Sequence, residues 1–350
     1  MLMSQSAGVP LSLSALPDYF FACANFIKNF FFSSGAIIMP YTRRPYTGLD
    51  DLRKIQDLLR AGLLQSPHSG YVHPGDIEWW LFYNPWGDDP RDFVQLWVTP
   101  ADDLMAFVVL TAQRRETNLF WHPQADSAIA EDMLLYSESV LKDADSERTD
   151  FSVEEVFADD AVQVPLLEKH GYIREQHLLY LTQDLTVDLP SPQLPEGFSF
   201  LDAMQPKFAE KRATVHASAF HPSRMTPERY QHFMTAPSYD PTLDVVVVAP
   251  DSQFVSFAMT WADEITRVAE FEPVGTYADW QRRGLGKAAV REGLRRLQAR
   301  GMKTATVCTD ADDAGNVAFY KSCGFSVVNE LLKFKKPMHE GQIIIENEIK

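Results

Sequence analysis

Two tandem domains of mixed α/β architecture, each an α+β mixed sheet with covering helices, are what this 350-residue chain predicts. Three observations carry that expectation: a faint internal repeat, a linker between its copies, and strand-like and helix-like segments alternating in the second copy. QLWVTPADDLMAF (95–107) aligns with VVVVAPDSQFVSF (245–257), setting Pro100 on Pro250 and Phe107 on Phe257. HPGDIEWWLF (73–82) has its counterpart in HPSRMTPERYQHF (221–233), with Glu78 opposite Glu228. LLEKHGY (166–172) matches FYKSCGF (319–325), with Gly171 opposite Gly324. Similar segments in the same order at a nearly constant offset mark a duplicated unit. DLPSPQLPEG (188–197) carries three prolines and a glycine without hydrophobic periodicity, as a linker does. The domains therefore fall at 40–187 and 195–337, with a tail at 338–350.

In the second copy FSFLD starts a strand and PKFAEKRATVHASAF follows as a helix. TPERYQHFM is a second helix, with Thr226 as N-cap and Pro227 at the first helical position. DVVVVAP and QFVSFAMTWA read as a strand pair around Pro250-Asp251-Ser252, and TRVAEFEPVGT as the next strand. After Gly284-Leu285-Gly286, the positions Val290, Leu294 and Leu297 keep helical spacing until Gly301 closes the helix. TATVCT is another strand, AGNVAFYKSC another helix, and FSVV and LLKFK are two closing strands.

Composition narrows the function classes. The chain is 45% hydrophobic and 23% charged, as folded proteins are. Most of its net charge of −16 sits in residues 1–190, which hold 13 Lys and Arg against 28 Asp and Glu. That balance argues against nucleic acid as a partner. Cys23, Cys308 and Cys323 make neither a disulfide framework nor a metal cluster, and CxxC and HExxH spacings do not occur. A cytoplasmic protein without a metal is the expectation. Residues 1–39 are aromatic and apolar but interrupted by Asp18 and Lys28. They lack a basic leader and an unbroken membrane-length span, so a poorly ordered extension is expected, with no membrane contact.

A strand, a turn, GxG and a helix form the general arrangement for holding phosphate on backbone N–H groups. Gly284 to Ala289 imitates the dinucleotide fingerprint GxGxx[GA]. However, about eight residues part the turn from its strand, and the next strand ends in threonine rather than an acid. A P-loop fails as well, since no glycine stands five residues before Gly286.

Gln281-Arg282-Arg283-Gly284-Leu285-Gly286 resembles the Q/R-x-x-G-x-G/A motif of the GNAT superfamily of N-acetyltransferases. The preceding EPVGT strand, the ending Tyr320-x-x-x-Gly324-Phe325 and the element order over about 140 residues resemble it too. The doubling is similar to that of tandem, mycothiol synthase-like members. The resemblance implies two tandem GNAT folds and acetyl-CoA as co-substrate. It places Gln281, Arg282, Arg283, Gly284, Gly286 and Lys287 at the pyrophosphate, Val274 and Thr276 at backbone contacts to the pantetheine arm, and Asn316 and Phe319 beside the cofactor. Lys287, Arg291 and Arg295 recur every four residues, and like charges at that spacing invite a counter-anion.

Transfer of acetyl to an amine needs a base, an oxyanion donor and an acid for the thiolate. By resemblance Tyr320 is the acid and Val274 supplies the strand amide. Glu270 and Glu272 share one strand face by alternation and are the two candidate bases. The corresponding turn of the first copy, WHPQADSAIAEDMLL (121–135), has no glycine or arginine but three acids, and Leu167 replaces the tyrosine. The first copy is thus expected to be non-catalytic, packing on the second, completing an acceptor site or attracting a cation. The expectation is an N-acetyltransferase acting on a primary amine of a small molecule in a ternary complex. An acyl-CoA-binding sensor without turnover is the alternative. Tandem copies can imitate a dimer within one chain, so intramolecular pairing in a monomer is expected.

Overall fold

The computed structural model describes residues 41–84, 87–111, 116–144 and 150–337. The expectations for residues 1–39 and for the tail lie outside the described residues. The first copy runs β1 (Thr42–Pro45), α1 (Leu49–Gln65), α2 (Pro74–Glu78), a π-turn (Trp79–Tyr83) and α3 (Pro90–Phe93). It continues β2 (Val94–Val98), β3 (Leu104–Thr111), β4 (Glu116–Trp121), α4 (Ala128–Ala144), β5 (Asp150–Phe157), α5 (Gln163–Lys169) and β6 (Ile173–Asp184). The second runs β7 (Ser199–Phe200), α6 (Ala209–Ala219), α7 (Pro227–Phe233), β8 (Asp244–Val248), β9 (Phe254–Asp263) and β10 (Val268–Thr276). It closes with α8 (Leu285–Ala299), β11 (Thr304–Asp310), α9 (Ala314–Cys323) and β12 (Ser326–Pro337).

The described strands form one mixed sheet in the order β1-β2-β3-β4-β5-β12-β6-β11-β10-β9-β8-β7. Each copy lends its last strand to the other. β12 lies antiparallel to β5, with Leu331 opposite Phe157, while β6 lies antiparallel to β11, with Leu181 opposite Val307. The two exchanged strands pair with each other at the centre, where Leu331 meets Leu178. FSVV and LLKFK are consequently one strand of 12 residues rather than two. Asn329 and Glu330 look like a break, yet register shifts at Val327/Asn329 and Lys333/Phe334 bend the strand without ending it.

The duplication is visible in backbone detail. In β2–β3 and β8–β9 the connecting turns hold Asp102 and Ser252 at φ 66° and 68°. Each donates its N–H to an oxygen three residues back, Thr99 and Ala249, at 2.9 Å in both. The register slips at Trp97/Val98 and again at Val247/Val248.

Helices cover both faces of each half. α8 buries Leu285, Ala289, Val290, Leu294 and Leu297 against Val245, Val247, Phe271 and Val307. Fully burying one such leucine contributes about 1.5–3 kcal/mol. On the opposite face α6 and α7 pack Ala213, Val215, Tyr230 and Phe233 on Val246, Phe257 and Trp261. Thr226 caps α7 by accepting the Arg229 N–H at 3.3 Å, with Pro227 following. The linker is not loose: Leu189 and Leu194 pack against the core under α8.

Candidate active site

The glycine turn places two left-handed positions, one on either side of Arg283, before α8. Arg282 stands at φ 62° and Gly284 at φ 79°, both left-handed. Such a turn directs successive N–H groups to one side, toward the α8 N-terminus, where an anion is favoured. A Cβ at Gly284 would meet no atom within 4 Å, so its glycine answers to φ alone. Gly286 answers to space: a Cβ there would come within 2.9 Å of Thr276 Oγ1 and 3.5 Å of the Phe319 ring.

Beside the turn lies a cavity of about 360 Å³ walled by Gln193, Leu194, Arg283, Gly284, Lys287 and Arg291. Arg291 Nε is buried there without a hydrogen-bond partner. The basic face of α8 therefore divides. Arg295 is neutralised by Glu292 at 2.7 and 2.8 Å, whereas Lys287 and Arg291 face the cavity. Arg283 is steered by its stack over Trp280, 4.6 Å from the ring centre, and by the Asp279 carbonyl. Gln281 donates weakly to the Thr276 carbonyl at 3.4 Å.

The strand before the turn leaves an edge open. β10 pairs with parallel β11 only through Val268–Glu270, opposite Thr304–Thr306. Antiparallel pairing with β9 continues to Thr276 after a bulge between Phe271 and Val274. Past Glu270 the edge carrying Val274 thus has no partner strand among the described residues, an arrangement that accepts an extended ligand. Phe319 and Tyr320 on α9 flank this opening, their rings 5.0 Å apart. Tyr320 is 8% exposed. Burial, then the charge of Glu272, pushes its phenol far above the usual tyrosine range, keeping its proton available. Asn316 is exposed and tied to Asp313, its amide nitrogen 2.8 Å from Oδ2, so its side chain serves the helix cap.

Glu270 and Glu272 do share one environment, and groups from the first copy complete it. His73 and Asp76 form a capping box on α2: the Gly75 N–H donates to His73 Nδ1 and the His73 N–H to Asp76 Oδ2, both at 3.0 Å. With Nδ1 accepting, the ring proton sits on Nε2, 3.3 Å from the Val268 carbonyl of β10. Burial holds His73 at about 4, so the imidazole is neutral, and Glu270 Oε2 at 3.8 Å gains no ion pair from it. Glu270 is 5% exposed and its Oε2 has no hydrogen-bond partner. Burial and the adjoining Asp76 carboxylate push it well above the usual carboxylate range, while Asp76 rises to about 6. The proton of this pair thus resides on Glu270 near neutrality.

Glu272 is half-buried and raised to about 8 by burial and then by Asp76. Glu155 on β5 rises to about 8 by burial and the charges of Asp76, Glu154, Glu272 and Glu116. A carboxylate poised near 8 is a competent base near neutral pH.

Sequence alone does not single out His73, Asp76 or Glu155 for chemistry. Two signals are there: His73 and Asp76 stand in the repeated HP segment, and Glu154-Glu155 form an acidic pair between Val153 and Val156. At the matching turn of the first copy, Asp126 accepts the Ala128 N–H at 2.9 Å, occupying an amide that a phosphate would use. Glu131 there engages Lys169 and His170 at 2.9 and 2.8 Å, and Leu167 is fully buried in the core.

Comparison with known proteins agrees with this geometry. The Acetyltransferase (GNAT) family matches residues 209–325. Mycothiol acetyltransferase of Streptomyces coelicolor is 33% identical over 155 residues, covering 43% of this chain and 50% of that protein. That of an Arthrobacter species is 29% identical over 171 residues, 46% and 53% of the respective chains. The chain thus spans about half the length of the curated relatives it matches. A GCN5-related N-acetyltransferase from Sphaerobacter thermophilus superposes with TM-score 0.60 at 20% identity, covering 87% of this chain and 98% of that one. A tandem GNAT protein from the clavulanic acid biosynthesis pathway superposes with TM-score 0.62 at 12% identity, covering 86% and 100%. Among the described residues no metal-binding cluster occurs, and no helix is long and apolar enough to cross a membrane.

Proposed function

We propose, from the premise that residues 209–325 are a GNAT acetyltransferase domain within a tandem GNAT fold, that the chain transfers acetyl from acetyl-CoA to a primary amine of a small molecule. The observation that carries this is the open edge of β10 between a left-handed anion-binding turn and a buried tyrosine. Acetyl-CoA supplies the thioester when bound; the turn amides, Lys287 and Arg291 suit its phosphates, and Val274 and Thr276 its pantetheine arm.

The residues divide the proton work. Glu272 is the carboxylate that a substrate can reach, and takes the proton released as the amine nitrogen bonds to the carbonyl carbon. Glu270 keeps its proton and shares it with Asp76 behind. The Val274 N–H faces the developing oxyanion, and Tyr320 hands its proton to sulfur as the C–S bond breaks. Amine, thioester and acids thus meet in one ternary complex with no acetylated side chain.

Calorimetric titration with acetyl-CoA and an amine panel read by free CoA test this. Binding that survives unchanged when Gly284 and Gly286 are both replaced by valine would overturn the assignment of the turn. Tyr320→Phe should lower kcat by about 10²-fold or more at unchanged acetyl-CoA affinity.

A further inference from the structure

A second cavity, of about 400 Å³, lies between the π-turn and the sheet of the first copy. Trp79, Trp80 and Tyr83 line it together with Glu154, Glu155 and Lys333. A backbone irregularity builds the acidic wall. β5 pairs Val153 with Phe334 and Val156 with Leu332, so Glu154 and Glu155 together face Lys333 alone. Neighbouring residues of a regular strand point to opposite faces. This bulge, with Glu155 at φ 55°, lets both carboxylates line one cavity. A left-handed glutamate is a strained conformation that surrounding structure must enforce.

Among the described residues the acids that line the cavity outnumber its one lysine. Lys333 reaches Glu154 at 2.7 Å and Glu116 at 3.6 Å. Glu155 has neither hydrogen bond nor ion pair among the described residues, and the charges that raise its carboxyl are the acids Asp76, Glu154, Glu272 and Glu116. Once ionised, above about 8, Glu155 is a surplus carboxylate beside aromatic faces, a setting that favours an organic ammonium ion and repels anions. The cavity also borders the second copy: Trp79 packs on its Phe233 and His216 at 5.1 and 6.4 Å, and the charge of Glu272 acts on Glu155.

We propose that this cavity binds the second ammonium group of a dicationic acceptor, a linear di- or triamine or a diamino cyclitol, while its reacting amine reaches Glu272. The first copy then contributes substrate selection to a reaction carried out by the second. This rests on the acetyltransferase reading, and the two are tested separately.

The probes are 1,4-diaminobutane, its aminopropyl derivative and a diamino cyclitol, each compared with butylamine. Calorimetry on the full chain at pH 8.5, above the raised Glu155 carboxyl, should show saturable binding of at least one diamine, with butylamine at least about tenfold weaker. Glu155→Gln should cut that preference by about tenfold and leave acetyl-CoA affinity unchanged. Because glutamine replaces a carboxyl without a partner, the variant should melt no lower than the parent. The inference is overturned if butylamine binds as well as the diamines, if no diamine binds, or if Glu155→Gln keeps the preference. Acetyl-CoA binding with equal turnover of butylamine and diamines overturns it while sparing acetyl transfer. A chain that binds diamines but neither binds acetyl-CoA nor releases CoA sinks both.

Discussion

Asp76→Asn should change the pH response of a reaction whose base belongs to the other copy. Asp76 is the second cause, after burial, that raises Glu272 from 4.5 to about 8. Because burial ranks first, removing the Asp76 charge should return less than half of that displacement. About one unit toward acid is expected, about a fivefold gain in ionised Glu272 at pH 7. The assay is kcat/KM for one amine between pH 5.5 and 9.5 at saturating acetyl-CoA. Ionisation of the amine is common to parent and variant, so the difference between their profiles isolates the enzyme. The acid limb of the parent should lie near 8, and that of the variant about one unit lower. A limb that stays in place, or moves to higher pH, would refute the electrostatic link between the copies.

Other outcomes follow from the same geometry. Glu272 has a folded-state pKa above its unfolded value, so its contribution to stability is present below about 4.5 and is lost as pH rises through about 8. Glu272→Gln should flatten the fall in Tm across that window and lower kcat by about 10²-fold or more. Arg295→Ala should leave acetyl-CoA affinity unchanged because Glu292 already holds that guanidinium, whereas Arg291→Ala should weaken it. Gly284→Ala forces a side chain into φ 79° and should cost about 1–2 kcal/mol in chemical denaturation. Leu331→Ala, at the contact of the exchanged strands with Phe157 and Tyr180, should cost about 2–5 kcal/mol.

What could be read from the sequence was local. The turn at 281–286 announces itself because glycine spacing and left-handed backbone are properties of adjacent residues. Thr226-Pro227 marks a helix start for the same reason, and the turns at Asp102 and Ser252 preserve the duplication. The site's first-copy members are distant by nature: His73 meets Val268 across 195 positions, and nothing in HPGD names its partner. The strand exchange is hidden differently. β6 and β12 have similar apolar patterns, and a pattern specifies which face is buried without specifying which edge is joined. Asn329 suggested a break between FSVV and LLKFK. Its amide instead bonds the His68 carbonyl at 2.6 Å and Asp159 at 2.8 Å, anchoring a continuous strand to the first copy.

The crossed strands also set an order of events during synthesis. β5 leaves the ribosome long before Ser326–Pro337, the segment destined to lie beside it. Until then the nascent first copy holds an uncovered edge, the kind that recruits strands from neighbouring chains. The twelve residues of β12 therefore close the first copy's sheet only once nearly the whole described chain has been made.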